Sequence, residues 1–214
     1  TVLPGQPGGP VNWYADAGKA YPDRRGNGRG IRFFSISGDV NKPGVYEVPI
    51  GAPMRVLLEA AGGVVGGWDN LRAIAPSGPS GGFLPRTFPY SKRMPDKTTA
   101  TVTQDILDLE LDIDVFREVG QALGAGLVVY AGGADMLDQA VNATEFYRNE
   151  SCGKCVPCRV GSQKLVEIGG AMRAGKAGDP AAVKPAVLEL EKAMEQTSIC
   201  GLGQVAPKPL STLL

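Results

Sequence analysis

Four cysteines carry the chemistry available to this sequence. Three stand in Glu150-Ser151-Cys152-Gly153-Lys154-Cys155-Val156-Pro157-Cys158-Arg159, spaced C-x2-C-x2-C, and Cys200 follows far downstream in Ser198-Ile199-Cys200-Gly201-Leu202-Gly203-Gln204. Three thiolates two residues apart in a tight loop can converge on one inorganic cluster, and a remote fourth can close the cage, as in four-cysteine [4Fe-4S] centres. Zinc is the rival. The chain has no histidine, so a zinc site would be all cysteine, and such sites usually pair two C-x2-4-C knuckles. A three-plus-one distribution suits the separated corners of a cubane better than a single tetrahedral ion. Disulfides are disfavoured, because cysteines at i, i+3 rarely meet the required separation and direction, and an intracellular setting keeps thiols reduced. Cys152, Cys155, Cys158 and Cys200 are therefore the candidate metal ligands.

The neighbours fit that reading. Gly153 lets the backbone pass close to the sulfides, Pro157 fixes φ and removes an amide, and a helix opening at Cys158 would aim its amides at the same point. Lys154 and Arg159 bring positive charge beside a net-negative cluster, with solvated surface charge as the plain reading of each. Gly201-Leu202-Gly203 would let the chain turn away uncrowded. Four protein ligands leave no open iron for substrate, which points to electron transfer rather than Lewis-acid catalysis. The alternative is a non-redox binding or adaptor module braced by a structural four-cysteine metal site. No residue is assigned to catalysis.

The elements that must position these thiols read as two units. At 214 residues there is room for two modest domains, and 43% hydrophobic against 21% charged residues describes a soluble protein with real cores. Basic and acidic residues balance at 22 each, which favours neither nucleic acid nor an acidic membrane surface as partner. No apolar run approaches the ~20 residues of a membrane span, and no signal-peptide layout is present. A cytoplasmic location is expected, or one peripheral to the inner membrane within a larger complex. The start at Thr1 suggests a fragment or a processed chain.

Residues 1–30 are Gly- and Pro-rich and read as a linker or the tail of a preceding domain, with a helical turn around Val11–Ala17. Gly28-Arg29-Gly30 lacks the strand and helix of a nucleotide loop and reads as a turn. Residues 31–132 read as a β-grasp, ubiquitin-like domain. Ile31–Gly38 and Val45–Pro49 form a hairpin around Asn41-Lys42-Pro43-Gly44, a helix starts at Pro53 and stops at Gly62-Gly63, and Leu71–Ala75 and Leu127–Ala131 add strands. Gly78–Gly82 is a turn, with a ligand-binding edge as its functional alternative. Residues 86–104 are expected as an exposed loop, and Asp105–Val119 as an acidic strand or a short helix. Residues 133–214 read as a three- or four-helix bundle: one helix capped at Asp135 or Ala134, one after Cys158, and one begun by Asp179-Pro180. The fold class is α+β.

The motif from Glu150 to Arg159 with the remote Cys200, and the upstream Ser35–Glu47 and Ala60-Ala61-Gly62-Gly63, resemble the C-terminal part of the family of NADH-binding flavoprotein subunits. That family spans respiratory complex I, soluble NAD-dependent formate dehydrogenase (β subunit) and the NAD-linked hydrogenase diaphorase. The resemblance covers about residues 31–214 and implies a soluble-ligand-binding β-grasp (SLBB) domain followed by a helical domain whose four cysteines bind one [4Fe-4S] cluster. It implies electron relay between a flavin and a partner's clusters. FMN and NAD(P)H are then expected in the complete complex, with a flavin/NADH-binding domain or chain and a [2Fe-2S] thioredoxin-like subunit as partners. A formate dehydrogenase or hydrogenase catalytic subunit is a further expected partner. The family's FMN- and NADH-binding domain has no counterpart in this sequence, so neither ligand is assigned to a residue here.

Overall fold

The structure is a computed structural model and describes residues 30–93 and 97–214. The expected linker, the turn at Val11–Ala17 and most of Gly28-Arg29-Gly30 lie outside the described residues.

The first hairpin pairs β1 (Ile31–Gly38) with β2 (Gly44–Pro49) from Ile31 opposite Pro49 to Ile36 opposite Gly44. Apolar side chains at i, i+3 and i+4 then bury one stripe of α1 (Met54–Ala60), namely Met54, Leu57 and Leu58. Burying each of these is worth about 1.5–3 kcal/mol. The sheet is completed by β3 (Leu71–Pro79), the short β4 (Leu84–Pro85) and β7 (Gly126–Ala131), in the order β2-β1-β7-β3-β4. β7 lies parallel to β1 and antiparallel to β3.

β3 and β7 face two cores at once. Leu71, Ile74, Leu127 and Val129 point into a core with α1, whereas Ala73, Ala75, Val128 and Tyr130 point into a second core formed with the helices that follow. Strands buried on both faces read as unbroken apolar runs, which is how Leu127–Ala131 reads in the sequence.

One expectation needs correction, and one left open is decided. Residues 86–104 are not an open loop: β5 (Thr87–Arg93) and β6 (Thr99–Asp105) pair antiparallel, with Phe88 opposite Gln104 and Tyr90 opposite Val102. Thr, Phe, Tyr and Val favour the pleated surface, and Pro89 is tolerated because this two-stranded ribbon has no central strand. The long stretch Asp105–Val119 resolves into a 3-10 turn over Ile106–Asp108 and a helix, α2 (Ile113–Glu118). The Asp112 carboxylate accepts from the amides of Asp114 and Val115, which starts the helix there.

The C-terminal unit has three long helices, α3 (Met136–Glu150), α4 (Val156–Arg173) and α5 (Pro180–Thr197), and two short ones, α6 (Gly201–Val205) and α7 (Lys208–Ser211). Asp135 caps α3 by accepting from Leu137 and Asp138, and Asp179 caps α5 by accepting from Ala181. Arg173, at the end of α4, pairs with Asp138 at 3.1 Å near the start of α3, so these two helices run antiparallel. The unit is seated on the sheet by the edge-to-face pair Phe83–Tyr130 and by the Phe83 amide donating to Thr212 Oγ1. No helix among the described residues is long and apolar enough to cross a membrane.

Candidate metal centre

The antiparallel helices bring both halves of the cysteine set to one pole. α3 ends at Glu150, Ser151 to Cys155 form the connecting loop, and Cys155 sits at the N-cap of α4. Helix α4 therefore begins before Cys158 rather than at it, with Pro157 in its first turn. Gly153 has φ +73°, a conformation that glycine adopts without strain. The Ser151 hydroxyl accepts from the Gly153 amide at 3.3 Å, and the Arg159 guanidinium donates to the Gly153 carbonyl. Arg159 thus ties the loop shut, while Lys154 is exposed.

The other half arrives where α5 ends. Ser198 closes that helix, and the next amide, Ile199 N–H, donates to Cys155 Sγ at 3.5 Å. Cys200 then caps α6. Gly201-Leu202-Gly203 is therefore not an exit loop but the start of a helix, in which Gly203 is buried against the cysteine loop. A Cβ at Gly203 would lie 2.5 Å from Ser198 Oγ and 3.0 Å from Cys158 Cβ. Only glycine allows that approach.

All four cysteines are free thiols: Cys158 is buried, Cys155 half-buried, and Cys152 and Cys200 exposed. The Cys200 segment touches Cys155 and borders Cys158, and Cys152 enters through the shared loop. Among the described residues no three His, Cys, Asp or Glu side chains converge closely enough to hold a single ion.

A hydroxyl beside the thiols fits a bound cluster. Two buried hydroxyls, Ser162 and Ser198, have no hydrogen-bond partner among the described residues. Ser198 borders Cys158 across Gly203, and Ser162 lies one turn beyond Cys158 on α4. A buried polar group left unpaired calls for a missing acceptor or ion, and for Ser198, beside Cys158, the sulfurs of a bound cluster would be that acceptor. Sequence reasoning singled out Gly153, Lys154, Pro157 and Arg159 but missed Ser151, Ser198 and the packing role of Gly203. Two of these are hydroxyls one and two residues before a cysteine, which is the signal that could have found them.

Comparison with known proteins agrees. Residues 138–214 match the family model of the NADH-ubiquinone oxidoreductase-F iron-sulfur binding region, and residues 33–84 match the SLBB domain. The NADH-quinone oxidoreductase-F protein of Rickettsia typhi is 34% identical over 206 residues, covering 95% of this chain and 43% of that protein. The Rickettsia rickettsii counterpart gives the same identity and coverage. Among solved structures, an NAD+-reducing [NiFe]-hydrogenase in the H2-reduced state superposes with a TM-score of 0.70 at 26% identity, covering 94% of this chain and 29% of that one. Its air-oxidized form gives a TM-score of 0.66 at 25% identity. The chain thus spans less than half the length of the relatives it matches.

Fold and thiols together define an α+β protein with an SLBB domain and a [4Fe-4S]-binding region. By these matches it is similar to part of the NADH-quinone oxidoreductase-F proteins and of the NAD+-reducing hydrogenase.

Proposed function

We propose that Cys152, Cys155, Cys158 and Cys200 hold one [4Fe-4S] cluster, and that the chain relays single electrons within an NAD(P)H-linked oxidoreductase, between a flavin bound elsewhere and a partner iron-sulfur subunit. The observation that carries the reading is the meeting of the two cysteine segments, with Ile199 N–H on Cys155 Sγ and Gly203 against Cys158, inside the region matched to the iron-sulfur family. Residues 31–132 serve as the β-grasp scaffold and 133–214 as the cluster domain.

When bound, a four-cysteine cluster of this type supplies one-electron transfer. The chain's own groups do the rest. Four thiolates leave no coordination position for substrate, the α4 amides and Arg159 place positive potential beside the sulfurs, and the exposure of Cys152 and Cys200 keeps one edge of the site at the surface. Val156 and Ile199, each next to a cysteine in the sequence, are exposed apolar residues that a redox partner could cover. By kinship with the NADH-quinone oxidoreductase-F proteins and the NAD+-reducing hydrogenase, the partners are a flavin- and NADH-binding domain, a [2Fe-2S] thioredoxin-like subunit, and a hydrogenase or formate dehydrogenase catalytic subunit. The complex would work in the cytoplasm or at the inner membrane's periphery.

Anaerobic preparation tests the reading. A brown protein with about four irons and four sulfides per chain, paramagnetic after one-electron reduction, is expected. A colourless protein holding one zinc overturns it.

A further inference from the structure

We propose that the Ser198 hydroxyl donates a hydrogen bond to a cluster sulfur at Cys158 and, together with Ser151, raises the reduction potential of the centre. This rests on the assignment of the four cysteines to one cluster. Every other polar group of Ser198 is already used: its amide donates to Met194 O at 3.0 Å, and its carbonyl accepts from Gln204 Nε2 at 3.1 Å. These bonds fix the backbone where α5 ends. Only the hydroxyl is left, in a residue 7% exposed and without a partner among the described residues.

Gly203 places it near Cys158, because Ser198 Oγ lies 2.5 Å and Cys158 Cβ 3.0 Å from the one point where a Gly203 side chain would begin. The following amide, Ile199 N–H, already donates to Cys155 Sγ. The Ser198-Ile199 segment therefore presents two successive donors to two cysteines.

Ser151 completes the arrangement. Its Oγ lies 3.3 Å from Cys158 Sγ and accepts from the Gly153 amide, which leaves its proton for the sulfur. A thiolate ligand can only accept, so the direction of this bond is fixed once Cys158 binds metal. Reduction adds negative charge that spreads over the sulfurs, and hydroxyl donors stabilise that state more than the oxidised one. The buried Cys158, flanked by Ser151 and Ser198, is the ligand at which this effect concentrates.

The test uses the cluster-loaded protein. Redox titration followed by EPR should give Ser198→Ala a more negative midpoint potential at unchanged iron content, with Ser198→Thr restoring the original value. Ser162→Ala, which removes the other buried unpaired hydroxyl, sets the size of a general packing effect. A Ser198→Ala shift no larger than the Ser162→Ala shift overturns the proposal. Should Ser198→Ala fail to load, the wild-type protein exchanged into D2O decides. Electron–nuclear double resonance of the reduced centre should detect strongly coupled exchangeable protons, with one lost in Ser151→Ala, and their absence overturns the proposal. A wild-type protein with no [4Fe-4S] signal refutes the cluster assignment itself, whereas a normal cluster with an unmoved potential in Ser198→Ala refutes only the hydroxyl's role.

Discussion

At the scale of single residues, Gly203 sets how closely the downstream cysteine segment approaches the upstream loop. Its φ is helical, so the need for glycine there is one of space. An added methyl would meet Ser198 Oγ at 2.5 Å and Cys158 Cβ at 3.0 Å, and neither atom belongs to the far end of a flexible side chain. Gly203→Ala should cost about 1–3 kcal/mol of stability, the usual range for overpacking. It should also speed iron loss to a chelator, whereas normal retention would show that the two segments do not need this contact. The cysteines themselves are not equivalent. Cys158 is buried and hydrogen-bonded to Ser151, while Cys152 and Cys200 are exposed. Each Cys→Ser variant should lose the intact [4Fe-4S] signal, measured as iron and sulfide per chain with the reduced-state EPR. Cys158→Ser should in addition leave the least stable apoprotein, because the change falls inside the packed pole rather than at its surface.

At the scale of elements, side-chain caps fix where several helices begin. Asp135 accepts from Leu137 and Asp138, and Asp112 accepts from Asp114 and Val115. Asp135→Ala should lower stability by about 1 kcal/mol, and Asp112→Ala by up to about 2 kcal/mol because Asp112 is buried. Urea midpoints of the two variants check this, and an equal loss in both would argue that burial adds nothing to the cap. These caps also mark what was legible in the sequence. Asp135, Asp179-Pro180, the Asn41–Gly44 turn and the Pro53 start all act through nearest neighbours, so they read directly. Asp105–Val119 did not, because its choice between strand and helix depends on the Asp112 side chain turning onto its own backbone. The β5–β6 ribbon was hidden for a related reason: its polar Thr residues and Pro89 resemble loop composition, and only cross-strand pairing reveals their β preference. At the site, the spacing of the four cysteines was legible. The hydroxyls of Ser151 and Ser198 were not, since their meaning lies in burial and in contacts across the chain.

At the scale of the whole molecule, one sheet serves two cores, and this couples the cysteine-bearing helices to the β-grasp scaffold. Tyr147 lies at that junction. It is a buried residue of α3 in the second core, and its phenol pKa is pushed up to about 12, chiefly by loss of hydration on burial, against which a hydrogen bond with Ser80 acts. Tyr130, on β7 in the same core, is raised as well, again first by burial and then by the Asp39 carboxylate. A raised pKa in the folded state means that folding favours the neutral phenol. The Tyr147 contribution is therefore fully present below the unfolded value of about 10 and is lost as pH rises toward about 12. The loss is on the order of 2 kcal/mol for a shift of this size. Denaturant midpoints measured across that alkaline range should fall steeply for the intact chain and less steeply for Tyr147→Phe, which removes the titrating group while keeping the ring. If the two chains lost stability in parallel, the junction would not be where alkali acts. If they diverge as expected, the helical unit should come away from the sheet first, and a cluster-loaded sample should bleach over the same pH range in which the midpoint falls.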